Sequence, residues 1–94
     1  MPIGINELTT GANFAFSPNP FSQEIQLTYL LNNSNKVSLK AYDPLGQLIQ
    51  TFVEESMQTQ GKYEYVFKPK TSGVYFIHWM VDGDERVYKI VKLD

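Results

Sequence analysis

No cysteine occurs in this chain, and histidine occurs once, at His78. The first absence removes disulfides, thiol nucleophiles and thiolate metal ligands, and it leaves the redox compartment open, because an extracellular β-sandwich folds without bridges. The second removes any two-histidine metal centre and leaves no nucleophile, histidine and acid to assemble into a catalytic set. No metal, no cofactor and no catalytic residue is therefore expected. An excess of one charge is missing too. Eight basic residues stand against ten acidic ones, and the basic ones are scattered, so no stripe tracks phosphates or anionic lipids. Nucleic acid and a membrane surface are not expected partners. No apolar run reaches the roughly 20 residues of a membrane helix, so membrane insertion is not expected. Residues 1–16 lack the charged start and apolar stretch of a signal peptide, and any export signal is expected upstream.

What is present is apolar and aromatic. With 43% hydrophobic and 14% aromatic residues, a chain of this length supports one core and one domain. Residues 1–13 are small and polar with two glycines, and read as a linker; residues 14–94 read as the domain. Ile25, Leu27, Tyr29 and Leu31 recur with a period of two, the mark of a half-buried strand, and Asn32-Asn33-Ser34-Asn35 turns the chain. Val37, Leu39 and Ala41 then face one way while Lys36, Ser38, Lys40 and Tyr42 face the other.

Asp43-Pro44-Leu45-Gly46 suits a type I turn and predicts a hairpin into a strand over residues 47–53. Residues 54–60 are polar and undecided. Tyr63, Tyr65 and Phe67 alternate again. Residues 74–81 are apolar on both faces apart from His78, which predicts a central strand. Asp82-Gly83 is the dipeptide of a type I′ hairpin turn, and a last strand is expected over residues 85–93. The pattern predicts an all-β fold, an immunoglobulin-like β-sandwich of about seven antiparallel strands, without the cysteine and tryptophan spacing of antibody domains. Ile25, Leu27, Tyr29, Val37, Leu39, Tyr65 and Phe67 are the expected core.

Chemistry-bearing residues do not cluster. His78 reads as structural or surface-lying, because a site needs several convergent groups. Asp82, Asp84 and Glu85 lack the spacing of a calcium loop and read as a solvated hairpin tip. Glu54-Glu55 solvates a loop. Asn32-Asn33-Ser34 matches a glycosylation sequon, but its turn role accounts for it. The six tyrosines and Trp79 fall mostly in strands, where packing rather than sugar stacking is the default.

Four anchors remain, in order: Ser17-Pro18-Asn19-Pro20-Phe21, Tyr42-Asp43-Pro44-Leu45-Gly46, Ser72-Gly73-Val74-Tyr75-Phe76 and Tyr88-Lys89-Ile90-Val91-Lys92-Leu93. Their order and spacing resemble the C-terminal sorting domain of type IX secretion cargo, the Por secretion system family of Bacteroidetes, over about residues 14–94. Gly4-Ile5-Asn6-Glu7 resembles the linker that precedes such domains. Ala41 departs from the pattern, where a larger aliphatic is usual, as does Lys68-Pro69-Lys70-Thr71, which lacks a leucine before Ser72.

The resemblance implies a removable export signal. The upstream cargo enters the periplasm by its own signal peptide; the type IX secretion machinery reads this domain and routes the cargo through the outer membrane. A sortase-like cysteine protease then removes the domain at the cell surface, and the cargo is anchored or released. By position, Gly73 and Tyr75 fall on the family's Gly-x-Tyr motif, and Lys89, Ile90, Val91, Lys92 and Leu93 on its terminal strand motif. Asn19, Pro20, Tyr42, Asp43 and Gly46 fall on its turn motifs. The terminal strand is expected to be read as an exposed sheet edge, with cleavage in residues 1–13. The same order of motifs also resembles the fibronectin-like domain of flagellar hook-capping proteins. A non-catalytic binding or assembly module, adhesive or carbohydrate-binding, is accordingly the alternative.

Overall fold

A computed structural model describes residues 6–7 and 13–94. Most of the expected linker, residues 1–5 and 8–12, lies outside the described residues. Among the described residues there is no helix, and the strands are β1 (Asn6–Glu7), β2 (Asn13–Ser17), β3 (Ile25–Leu31), β4 (Asn35–Tyr42), β5 (Leu48–Gln58), β6 (Gly61–Phe67), β7 (Gly73–Val81) and β8 (Asp84–Lys92). They form two antiparallel sheets, ordered β1-β2-β3-β6 and β5-β4-β7-β8. The chain changes sheet after β3, β5 and β6, and the hairpins β4–β5 and β7–β8 stay within one sheet. This is the strand arrangement of an immunoglobulin-like sandwich.

The core lies where the inner faces meet. Ile25, Leu27, Tyr29 and Leu31 from β3 face Val37, Leu39 and Ala41 from β4 and Ile77, Trp79 and Val81 from β7, all buried. Trp79 packs between Phe14 at 4.8 Å and Tyr29 at 5.1 Å, and Phe14 stacks on Tyr88 at 4.8 Å. Of the expected core, Tyr65 is the exception: it is half-buried, because β6 is a sheet edge and its Tyr63 and Tyr65 lean on the rim of the core.

Three further differences have physical causes. β7 is central in its sheet, yet only one face is buried; Val74, Phe76, His78 and Met80 are half-buried because no third layer covers the outer face. β5 runs on through residues 54–58, where backbone pairing to β4 continues past three register shifts although the strand buries only Val53. β2 is a strand of five residues, too short for a period to mark it in the sequence, and it places Phe14 in the core. The Asp82-Gly83 turn has positive φ at both residues, 50° and 84°, as the type I′ geometry demands.

Candidate functional site

Strand pairing brings the four anchors to one end of the β5-β4-β7-β8 sheet. Gly73, Val74 and Tyr75 at the start of β7 pair with Lys92, Val91 and Ile90 at the end of β8. Tyr42, the last residue of β4, pairs with Phe76, which sets the 43–46 turn beside residues 71–75. The loop carrying Asn19, Pro20 and Phe21 reaches the same place through a parallel bridge from Phe21 to Lys92.

Each anchor has a local cause. In the 43–46 turn, the Gly46 amide donates to the Asp43 carbonyl at 3.0 Å, and Asp43 Oδ1 accepts the amides of Leu45 and Gln47 at 2.9 Å each. Asp43 thus fixes the turn with its own side chain. Gly73 has φ of 134°, a region that side-chain-bearing residues rarely adopt, and a Cβ there would meet open space. The requirement for glycine is therefore conformational and not steric.

Tyr75 is buried, its hydroxyl donates to the Thr71 carbonyl four residues upstream, and its ring meets Phe67 edge-on at 5.3 Å. This is the tyrosine corner of immunoglobulin-like sandwiches. Burial, and secondarily the negative charge of Asp43, push the Tyr75 phenol above its ordinary pKa. The Gly-x-Tyr motif here builds the corner between β6 and β7, and Tyr75 presents little surface.

The terminal motif divides by side. Ile90 is fully buried, Val91 and Lys92 are half-buried, and Lys89 and Leu93 are exposed, Leu93 at 49%. β8 is an edge strand, but the expectation of an open edge over residues 89–93 is corrected. The Val91 amide donates to Asn19 Oδ1 at 3.0 Å, the Phe21 amide donates to the Val91 carbonyl at 2.9 Å, and the Leu93 amide donates to the Phe21 carbonyl at 2.7 Å. Asn19 Nδ2 adds a longer bond to the Lys89 carbonyl, 3.4 Å. Asn19 and Phe21 thus form a strap that satisfies this stretch of edge, and Phe21 buries its ring beneath it. Backbone pairing with a partner would have to displace that strap. Both prolines of the segment, Pro18 and Pro20, follow cis peptide bonds.

The residues that sequence reasoning missed are those that join the anchors. Beside Gly73 lies an open pocket of about 310 Å³, walled by Asp43, Pro44 and Ile49 on one side and Ser72, Gly73 and Val74 on the other. Ile49 belongs to no motif, and no sequence signal marked it.

Of the remaining candidates, His78 borders this end through Tyr42 and Asp82 lies at the opposite end of β7. His78 Nδ1 lies 3.1 Å from Glu85 Oε2, with the His78 ring 4.4 Å from that of Tyr42. Asp82 accepts the Lys36 amide at 2.8 Å and Asn35 Nδ2 at 2.6 Å, and these bonds hold its carboxyl below the usual carboxylate range. Its oxygens clamp the β3–β4 corner. Among the described residues, no group of three or more histidines or acids is placed to hold a metal.

The model of a known family, the secretion system C-terminal sorting domain, matches residues 15–93, nearly the whole described chain. The chain belongs to this family. It carries a sorting signal of type IX secretion cargo, a system of Bacteroidetes. No curated protein and no solved structure matches it. A sorting domain implies an attached upstream cargo, recognition by the type IX machinery, and export to the cell surface or beyond. Domains of this kind are typically non-catalytic. In this sorting domain the anchor residues divide into Asn19, Asp43, Gly73, Tyr75 and Ile90, which hold the end of the sandwich together, and Lys89, Lys92 and Leu93, which reach solvent there.

Proposed function

We propose that the motif-bearing end of this sorting domain is the surface that the type IX machinery reads in the periplasm, and that the domain is afterwards removed from its cargo by a sortase-like cysteine protease. The observation that supports this reading is the gathering of four sequence anchors, drawn from the full length of the domain, at one end. Because the strap covers the edge backbone, recognition proceeds through side chains: the ammonium groups of Lys89 and Lys92 steer an acidic partner surface, and Leu93 offers apolar area. Gly73, Tyr75, Ile90 and Val91 act by fixing where those groups stand.

The test attaches the chain behind a reporter with its own export signal in a host that has the type IX machinery. The reporter should appear outside the cell. Deleting residues 89–94 also removes the buried Ile90, so the informative variant is Lys89→Ala with Lys92→Ala, which should change stability by no more than about 0.5 kcal/mol. Retention of that folded double variant in the periplasm supports the reading; its normal export refutes it.

A further inference from the structure

The pocket beside Gly73 has the chemistry of a receptor for one side chain. Its 310 Å³ sits at the small end of ligand sites, which run from about 300 Å³ upward, so it holds a side chain more readily than a free cofactor. Pro44, Ile49 and Val74 give it apolar walls, and Asp43 gives it a carboxylate. Asp43 is half-buried, and its Oδ1 is occupied by the amides of Leu45 and Gln47. Among the described residues, Oδ2 has no hydrogen bond and Asp43 has no ion pair; the Lys92 ammonium, on the strand that pairs with Gly73, bonds the Leu93 carbonyl instead. A carboxylate oxygen held by its own turn and left without a cation is pre-organised to accept one. Gly73 keeps the floor open, since it carries no side chain and a Cβ there would project into open space.

We propose that this pocket receives a lysine or arginine side chain of the protein that reads the domain, with the aliphatic stem against Ile49, Pro44 and Val74 and the cationic head on Asp43. Long basic side chains bury their stems on apolar surface and keep the head on a polar partner. The proposal rests on the reading of this end as the recognition surface, and adds a second point of contact of opposite charge to Lys89 and Lys92. Two contacts of opposite sign fix the orientation in which a partner docks.

The same export assay tests it with substitutions at exposed positions. Ile49 is 45% exposed, so both Ile49→Lys and Ile49→Glu should fold, which thermal melts verify. The lysine of Ile49→Lys sits at the mouth beside Asp43, occupies the pocket from within and should leave the reporter in the periplasm. Ile49→Glu adds a negative charge, attracts a cationic guest and should be exported. Asp43→Asn keeps the Oδ1 acceptor of the turn and removes the charge; the export rate should fall about tenfold, the loss expected of one charge-assisted hydrogen bond. Leu45→Lys, on the same turn at 86% exposure and outside the pocket, controls for net charge and should be exported normally. Retention of both Ile49 variants means that the guest is not cationic, and export of both means that the pocket is unused; either overturns the proposal. If Lys89→Ala with Lys92→Ala is retained while all pocket variants pass, the recognition surface stands and only the pocket falls. If all of them pass, both readings fall.

Discussion

Asn19 places both ends of its carboxamide on one strand, with Oδ1 on the Val91 amide and Nδ2 on the Lys89 carbonyl. Asn19→Ala leaves that solvent-exposed stretch of β8 without its side-chain partners, and a loss of about 0.5–1.5 kcal/mol is expected in denaturant melts. Leu39 acts through volume instead. It is fully buried between the sheets, so Leu39→Ala should cost about 2–5 kcal/mol, transfer plus cavity; a loss within experimental error would mean that the site collapses around the smaller side chain. Asp82 acts through charge. Hydrogen bonds from Lys36 and Asn35 depress its folded-state pKa below that of the unfolded chain. Its contribution is therefore present above the unfolded value, about 3.9, and is lost as the pH falls through the folded value. Asp82→Asn keeps an acceptor and tolerates the positive φ, so its stability should fall less than that of the parent between about pH 5 and about pH 2 in acid melts.

At the scale of the element, β8 has two edges in one strand. Its backbone alternates, so the outward groups at Val91 and Leu93 meet the strap, while those at Val87 meet solvent. Hydrogen exchange should find the Val91 and Leu93 amides protected like those of the β7–β8 ladder and the Val87 amide exchanging faster. In Asn19→Ala the Val91 amide should lose protection while β3 keeps its own, and equal protection in parent and variant would show that Phe21 alone holds the edge. Elements of this kind explain what was legible in the sequence. β3 and β4 announced themselves because each buries one face completely, and the β7–β8 hairpin because Asp82-Gly83 allows little else. The continuation of β5 over residues 54–58 and the whole of β2 did not: beyond Val53 no residue of β5 is buried and the strand is held by backbone pairing to β4, and β2 is five residues long, too short for a period to stand out. The strap was invisible for another reason. Its bonds join residues 70 and 72 positions apart, and no local pattern encodes a contact at that distance. Thus the anchors could be read as turn-and-strand patterns, while their meeting at one end and their division, Tyr75 and Ile90 inside and Lys89 and Leu93 outside, required the fold.

For the whole molecule, the distribution of backbone pairing bears on where the proposed protease would separate cargo from signal. A protease needs a peptide segment drawn into its cleft in extended form, and the segment with the least pairing to break is opened most often. From β2 onward the chain is committed: Asn13–Ser17 pairs along its length with β3, and the last residues of β8 lie between β7 and the strap. Opening any of these exposes the shared core. β1, by contrast, spans two described residues, which pair with β2 as Asn6 with Phe14 and Glu7 with Asn13. Cleavage of the mature cargo is expected within residues 1–13 or just upstream, and the released sorting domain should begin at or before Asn13 and remain folded. Mass spectrometry of secreted cargo and released fragment reads both ends of the cut. A fragment beginning inside β2 or later would mean that the protease acts on an unfolded domain, and cargo that still carries the intact sandwich at the cell surface would mean that sorting here proceeds without removal.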